Sequence, residues 1–136
     1  SGGGSSIDSG RLKPQVVLVA SGSLVHNAIL AASELEKEGI GAIVINNHTI
    51  KPMEKDAIVK AAKEAGAVVT VEEHQVMGGM GSAVAEVLAK NYPVPMEFVG
   101  VQNQFGESGE PNELIKKFGM DVPAIINAVR NVIKRK

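Results

Sequence analysis

The chain has 136 residues, enough for one well-filled core and too few for two. Hydrophobic residues make up 44% and charged residues 21%, a globular composition, and a formal net charge of −1 offers no field to gather nucleic acid or an anionic membrane. There is no cysteine, which excludes disulfides, thiolate catalysis and cysteine-held metals and fits a reducing cytoplasm.

No apolar run approaches the roughly 20 residues that cross a bilayer. The opening Ser1-Gly2-Gly3-Gly4-Ser5-Ser6 has neither the charged nor the apolar region of a signal peptide. Residues 1–13 read as a flexible linker or cloning remnant, and residues 14–136 as one domain.

Val16 to Ala20 is a continuous apolar, β-branched run, the mark of a strand covered on both faces. Ser21-Gly22-Ser23 breaks it, and its serines suit a helix cap. Leu24, Ala28, Ala31 and Leu35 then recur at helical spacing up to Gly39, which suits a left-handed cap. The cycle repeats with a strand at Ala42–Ile45, a loop at Asn46–Lys51 and a helix from about Glu54 to Ala65, stopped by Gly66. A third strand, Ala67–Val71, leads through Glu72-Glu73-His74 and a glycine-rich turn into a helix carrying Val84, Val87 and Leu88. A fourth strand at Glu97–Val101 is followed by a polar loop, 102–110.

Two helices are expected at the end of the chain. Pro111 opens the first and Asp121 caps the second, whose stripe is Ile125, Ile126, Val129, Val132 and Ile133. The basic cluster Arg130, Lys134, Arg135 and Lys136 reads as a frayed helix end that suits the dipole. Strand–helix alternation with buried-type strands implies right-handed crossovers. The expected fold is a three-layer α/β/α domain with an open, largely parallel sheet.

In such a sheet ligands gather beyond the carboxyl ends of the strands. The most distinctive segment there is Glu72-Glu73-His74-Gln75-Val76-Met77-Gly78-Gly79-Met80-Gly81-Ser82. Gly78, Gly79 and Gly81 permit close backbone approach, and the helix start that follows favours an anion. Glu72, Glu73, His74, Gly78, Gly79, Gly81 and Ser82 are therefore candidates for an anion site. The alternative is a tight turn against a neighbouring domain, with the acids satisfying backbone donors. Gly79-Met80-Gly81-Ser82-Ala83-Val84 departs from a dinucleotide fingerprint, ending in Val84 and following the third strand. No phosphate-binding Walker sequence is present. His26, His48 and His74 share no metal-ligand spacing. Ser21 stands after the first strand, where a receiver domain would need carboxylates.

Taken together, Thr49-Ile50-Lys51-Pro52, Val69-Thr70-Val71-Glu72-Glu73-His74, Gly78-Gly79-Met80-Gly81-Ser82-Ala83-Val84 and Phe105-Gly106-Glu107-Ser108-Gly109 resemble the C-terminal domain of the transketolase family. The resemblance runs from about Val16 to the end, with Glu54 departing from the family's usual aspartate. It implies ketol transfer between sugar phosphates by an enzyme using thiamine diphosphate and a divalent metal such as magnesium. It also implies that the cofactor is held by two other domains or a subunit of the same enzyme. Here there is neither a Gly-Asp-Gly motif nor a pyrimidine-domain segment. No catalytic, cofactor-binding or metal residue is carried over, and the isolated chain is expected to be inactive. The domain's expected work is packing, homodimer assembly and regulation. Alternatives are the matching domain of a deoxyxylulose-phosphate synthase or of a 2-oxoacid dehydrogenase component, or an independent anion-binding or interaction module.

Overall fold

A computed structural model describes residues 6–7, 12–21, 24–47, 55–73, 79–101 and 111–136; for residues 6–7 and 111–121 only the backbone is described. Its elements run β1 (Ser6–Ile7), β2 (Pro14–Ser21), α1 (Val25–Lys37), β3 (Gly41–Asn47), α2 (Lys55–Ala65), β4 (Val68–Glu73), α3 (Gly79–Asn91), β5 (Met96–Val101) and α4 (Pro111–Lys134).

The five strands form one sheet in the order β1-β3-β2-β4-β5. The last four are mutually parallel, and β1 joins β3 antiparallel through Ser6 opposite Ile45 and Ile7 opposite Val44. The chain steps from β2 to β3, then back across β2 to β4. That reversal requires right-handed crossovers to place the first helix on one face and the next two on the other. The core divides accordingly. Val16, Leu18, Ala20, Val44, Val69 and Val71 pack under α1 and α4, whereas Val17, Val19, Ile43, Ile45 and Val68 pack under α2 and α3. Residues 16–20 of β2 are fully buried, so the continuous apolar run is that of the strand covered from both sides. The three-layer α/β/α expectation holds.

Helix α1 ends as its sequence indicates. Gly39 has φ +84°, and the amides of Gly39 and Ile40 donate to the carbonyls of Glu36 and Leu35. Gly66, at φ +86°, closes α2 in the same left-handed region.

Three expectations are corrected. Ser6 and Ile7, read as part of a linker, form the edge strand β1, whose pairing uses backbone groups and therefore left no apolar pattern to read. The two terminal helices are one, a 24-residue α4 that contains Pro123. Proline forgoes one backbone hydrogen bond in a helix interior, and the apolar stripe on both sides of it keeps the helix docked on the sheet: Val122, Ile125, Val129 and Val132 are buried.

Arg130, Arg135 and Lys136 are not frayed. Arg130 donates to the Glu38 carboxylate at 2.6 Å, an interaction that raises its pKa through the hydrogen bond and then the charge of Glu38. Arg135 donates to the carbonyl of Met96 at 2.7 Å and to Glu97 at 2.6 Å. Lys136 donates to the carbonyl of Ala65 at 2.9 Å and of Gln15 at 3.2 Å. The amino ends of β2 and β5 and the last residue of α2 thus supply carbonyls that a cation can reach, which the sequence does not reveal.

Candidate functional site

Strand β4 delivers Glu72 to the carboxyl end of the sheet, one residue before the strand stops at Glu73. Side chains alternate along a strand. Val69 and Val71 face α1 and α4, so Thr70 and Glu72 face α3. Glu72 is 2% exposed. Its two carboxylate oxygens accept separate backbone N–H bonds, from Met80 to Oε1 at 3.1 Å and from Gly81 to Oε2 at 3.0 Å. These donors belong to the first turn of α3, where the helix has no carbonyl of its own to offer them. The negative charge also opposes the positive end of the helix dipole.

Gly81 makes this geometry possible. A Cβ there would lie 2.8 Å from Glu72 Oε2 and 2.7 Å from Cδ2 of Phe98, so only glycine lets the helix come down onto both the carboxylate and the ring. Gly79, by contrast, is exposed, with nothing within 4 Å of an added Cβ. Ser82 is also exposed, and Glu73 is half-buried at the end of β4. His74 and Gly78 lie outside the described residues, as do His48, Thr49 to Pro52 and Phe105 to Gly109. His26 is exposed in the first turn of α1.

A second polar group at the same end of the sheet escaped the sequence reading. Asn47, the last residue of β3, is 4% exposed, and Asn27, in the first turn of α1, is fully buried. Neither end of either carboxamide has a hydrogen-bond partner, nor does Oδ1 of Asn46. Asn27 lies three residues after Leu24 and four before Ala31, so the apolar spacing itself placed it inward.

The donor set at this strand end is not that of a site for the cofactor and metal that the resemblance implies. The buried carboxylate at the strand end is engaged by the backbone of α3. Among the described residues no group of three or more His, Cys, Asp or Glu is disposed to hold a metal ion. These residues do not fit a metal-bound diphosphate, and no chemical step follows from them. Also among the described residues, no helix is long and apolar enough to cross a membrane.

Fold and site together define an open α/β domain of doubly wound type whose strand-end acid caps its own helix. Residues 6–125 match the family described as "Transketolase, C-terminal domain", and the chain belongs to that family. It is 47% identical over 121 residues to the 6-deoxy-6-sulfo-D-fructose transketolase subunit SqwH of Clostridium sp. (strain MSTE9), covering 89% of this chain and 38% of that protein. It is 38% identical over 122 residues to the transketolase of Rattus norvegicus, covering 89% of this chain and 19% of that one. A solved structure titled "Split gene transketolase, inactive beta4 tetramer" superposes with a TM-score of 0.73 at 43% identity, covering 90% of this chain and 40% of that one. The chain therefore spans well under half the length of these relatives.

Proposed function

We propose that the chain is the C-terminal domain of a thiamine diphosphate-dependent transketolase and serves packing and assembly, not the chemistry. The match over residues 6–125 to a family of such domains carries the reading. The enzyme it completes transfers a two-carbon ketol unit between sugar phosphates, as in pentose phosphate interconversion. Thiamine diphosphate and magnesium are held by other domains or by a partner subunit. The internal use of Glu72 supports a structural part, since a carboxylate bound by two backbone amides is poorly placed to exchange protons with a substrate. The cysteine-free composition supports a cytoplasmic setting.

The segment Glu72, Glu73, His74, Gly78, Gly79, Gly81, Ser82 is proposed as a contact surface for the cofactor-binding part of the enzyme, which assembles as a homodimer. The exposure of Gly79 and Ser82 beside the ordered start of α3 supports this use. Calorimetry of the isolated chain with thiamine diphosphate and magnesium is expected to show no saturable heat. Adding the chain to a transketolase truncated of this domain is expected to restore dimer and turnover. Micromolar cofactor binding by the chain alone, or full turnover by the truncated enzyme, would overturn the proposal.

A further inference from the structure

Strand β5 is an edge of the sheet, hydrogen-bonded to β4 on one side and, among the described residues, to no strand on the other. A residue in a strand turns its N–H and C=O to the same side, and that side alternates along the chain. The amide of Val68 donates to the carbonyl of Pro95 at 3.1 Å, so Pro95, Glu97, Val99 and Val101 turn toward β4. Met96, Phe98 and Gly100 therefore turn their backbone groups outward. The outward carbonyl of Met96 accepts from Arg135 at 2.7 Å. Among the described residues nothing pairs with the outward groups of Phe98 and Gly100.

An open strand edge is a template for another strand, and proteins blunt it with charges and prolines. On β5 the blunting covers only the start: Pro93 and Pro95 lead into it, and Arg135 occupies Met96 and Glu97. Beyond that point the edge is apolar. Phe98 is 45% exposed, the most exposed of the described large hydrophobic side chains, and its ring rests against Gly81. The covering helix is equally uncharged here. Arg135 reaches Met96 and Glu97 just past α4, so the β5 side of that helix bears Ala124, Ala128 and Asn131, which share a face with it at helical spacing. Ala124 and Asn131 are exposed, and among the described side chains this face has no charge before Arg135.

We propose that β5 pairs antiparallel with β5 of a second copy of this chain, about a two-fold axis that sets Phe98 opposite Gly100 of the second copy and Gly100 opposite its Phe98. The edge is complementary to itself in this register. Each of the two pairs exchanges both of its N–H···O=C bonds, so all the free outward groups of Phe98 and Gly100 are used. Phe98 and Gly100 lie on one face of the sheet, opposite Val99 and Val101, and directly paired residues share a face. Each aromatic ring therefore lies over a glycine that has no side chain of its own to cover the strand. Glu97, already paired with Arg135, stands opposite Val101 of the second copy, so like charges do not meet. Setting Phe98 opposite itself would instead spend Gly100 on Met96, whose carbonyl is occupied. On the other face the small side chains of Ala124 and Ala128 let the two copies of α4 approach across the axis. The same patch is used on both copies, so the assembly closes at two. This contact is separate from the glycine-rich start of α3 and does not depend on the proposed enzymatic role.

The test is sedimentation velocity of the 136-residue chain over a concentration series, with amide hydrogen exchange on the same samples. A monomer–dimer equilibrium in the micromolar range is expected, since pairing at one strand edge buries a small interface. Exchange at Phe98 and Gly100 should slow as concentration rises, while Met80 and Gly81 keep their rates. Gly100→Pro removes an outward N–H that no internal bond uses, a change that edge strands tolerate, and should weaken the dimer about tenfold or more. Ala124→Lys changes an exposed residue and brings like charges together near the axis, so it should weaken the dimer to a similar degree and decides the matter should Gly100→Pro fail to fold. A chain that stays monomeric throughout would overturn the proposal. So would a dimer whose protection falls on residues 79–82 instead of β5, or association left unchanged in either folded variant.

Discussion

Gly81 and Gly79 lie two residues apart in one helix, yet their surroundings give opposite expectations for the same substitution. Alanine gains roughly 0.5–1 kcal/mol over glycine in a helix. At position 81 a methyl group would press on Glu72 and on the ring of Phe98, and overpacking of that kind costs about 1–3 kcal/mol. Gly81→Ala should lower stability by roughly 1–2 kcal/mol in urea unfolding, whereas Gly79→Ala should be neutral or slightly stabilising. Equal effects would mean that the carboxylate and ring yield freely. His74 follows the same strand and is the imidazole of the distinctive segment. If the domain supports the active site from outside, His74→Ala in the assembled, cofactor-saturated enzyme should cost less than about tenfold in turnover, below the general acid–base range. A thousandfold fall with the dimer intact would make it a catalytic group. At this scale the sequence marked the acids and glycines but not what each touches. That the acids satisfy backbone donors was legible and holds for Glu72; which amides it meets was not, because alternation fixes a face and not a partner.

Among the elements, strands were the most legible, since β2, β3 and β4 are buried on both faces and need unbroken apolar runs. Helix boundaries were least legible where breakers conflict with packing. Gly119 and Pro123 both signal an interruption, yet α4 continues through them because its buried stripe resumes at Val122. Helix α3 is a further case in which local sequence does not decide. It has no acidic residue in its first turn, and its cap comes from β4. Glu72→Gln keeps the shape but replaces one accepting oxygen by a donor, so one of the two amides loses its partner. A loss of about 1–3 kcal/mol is expected, with hydrogen exchange accelerated first at Met80 and Gly81. Uniform acceleration across the sheet would show that the bond serves global stability and not the start of α3.

Across the whole molecule, the parallel strands gather the starts of α1 and α3 at one end of the sheet. The opposite end is tied by cations from the end of α4, and those ties carry a consequence for the time course of folding. Lys136 meets the carbonyl of Gln15 across 121 residues of sequence and that of Ala65 across 71. Contacts of such separation require the longest loops to close, so they belong to the late stages of assembly and are weak in the transition state. Interactions made after the barrier slow escape from the native state without hastening arrival. Lys136→Met removes both bonds while retaining most of the stem. Its folding rate should match the parent's, and its unfolding rate should rise several-fold in a denaturant chevron. An equal slowing of folding would place this residue in the nucleus. With folding unchanged and unfolding faster, Lys136 would be a latch that sets how long the domain stays folded, leaving the pace at which it forms to the strands.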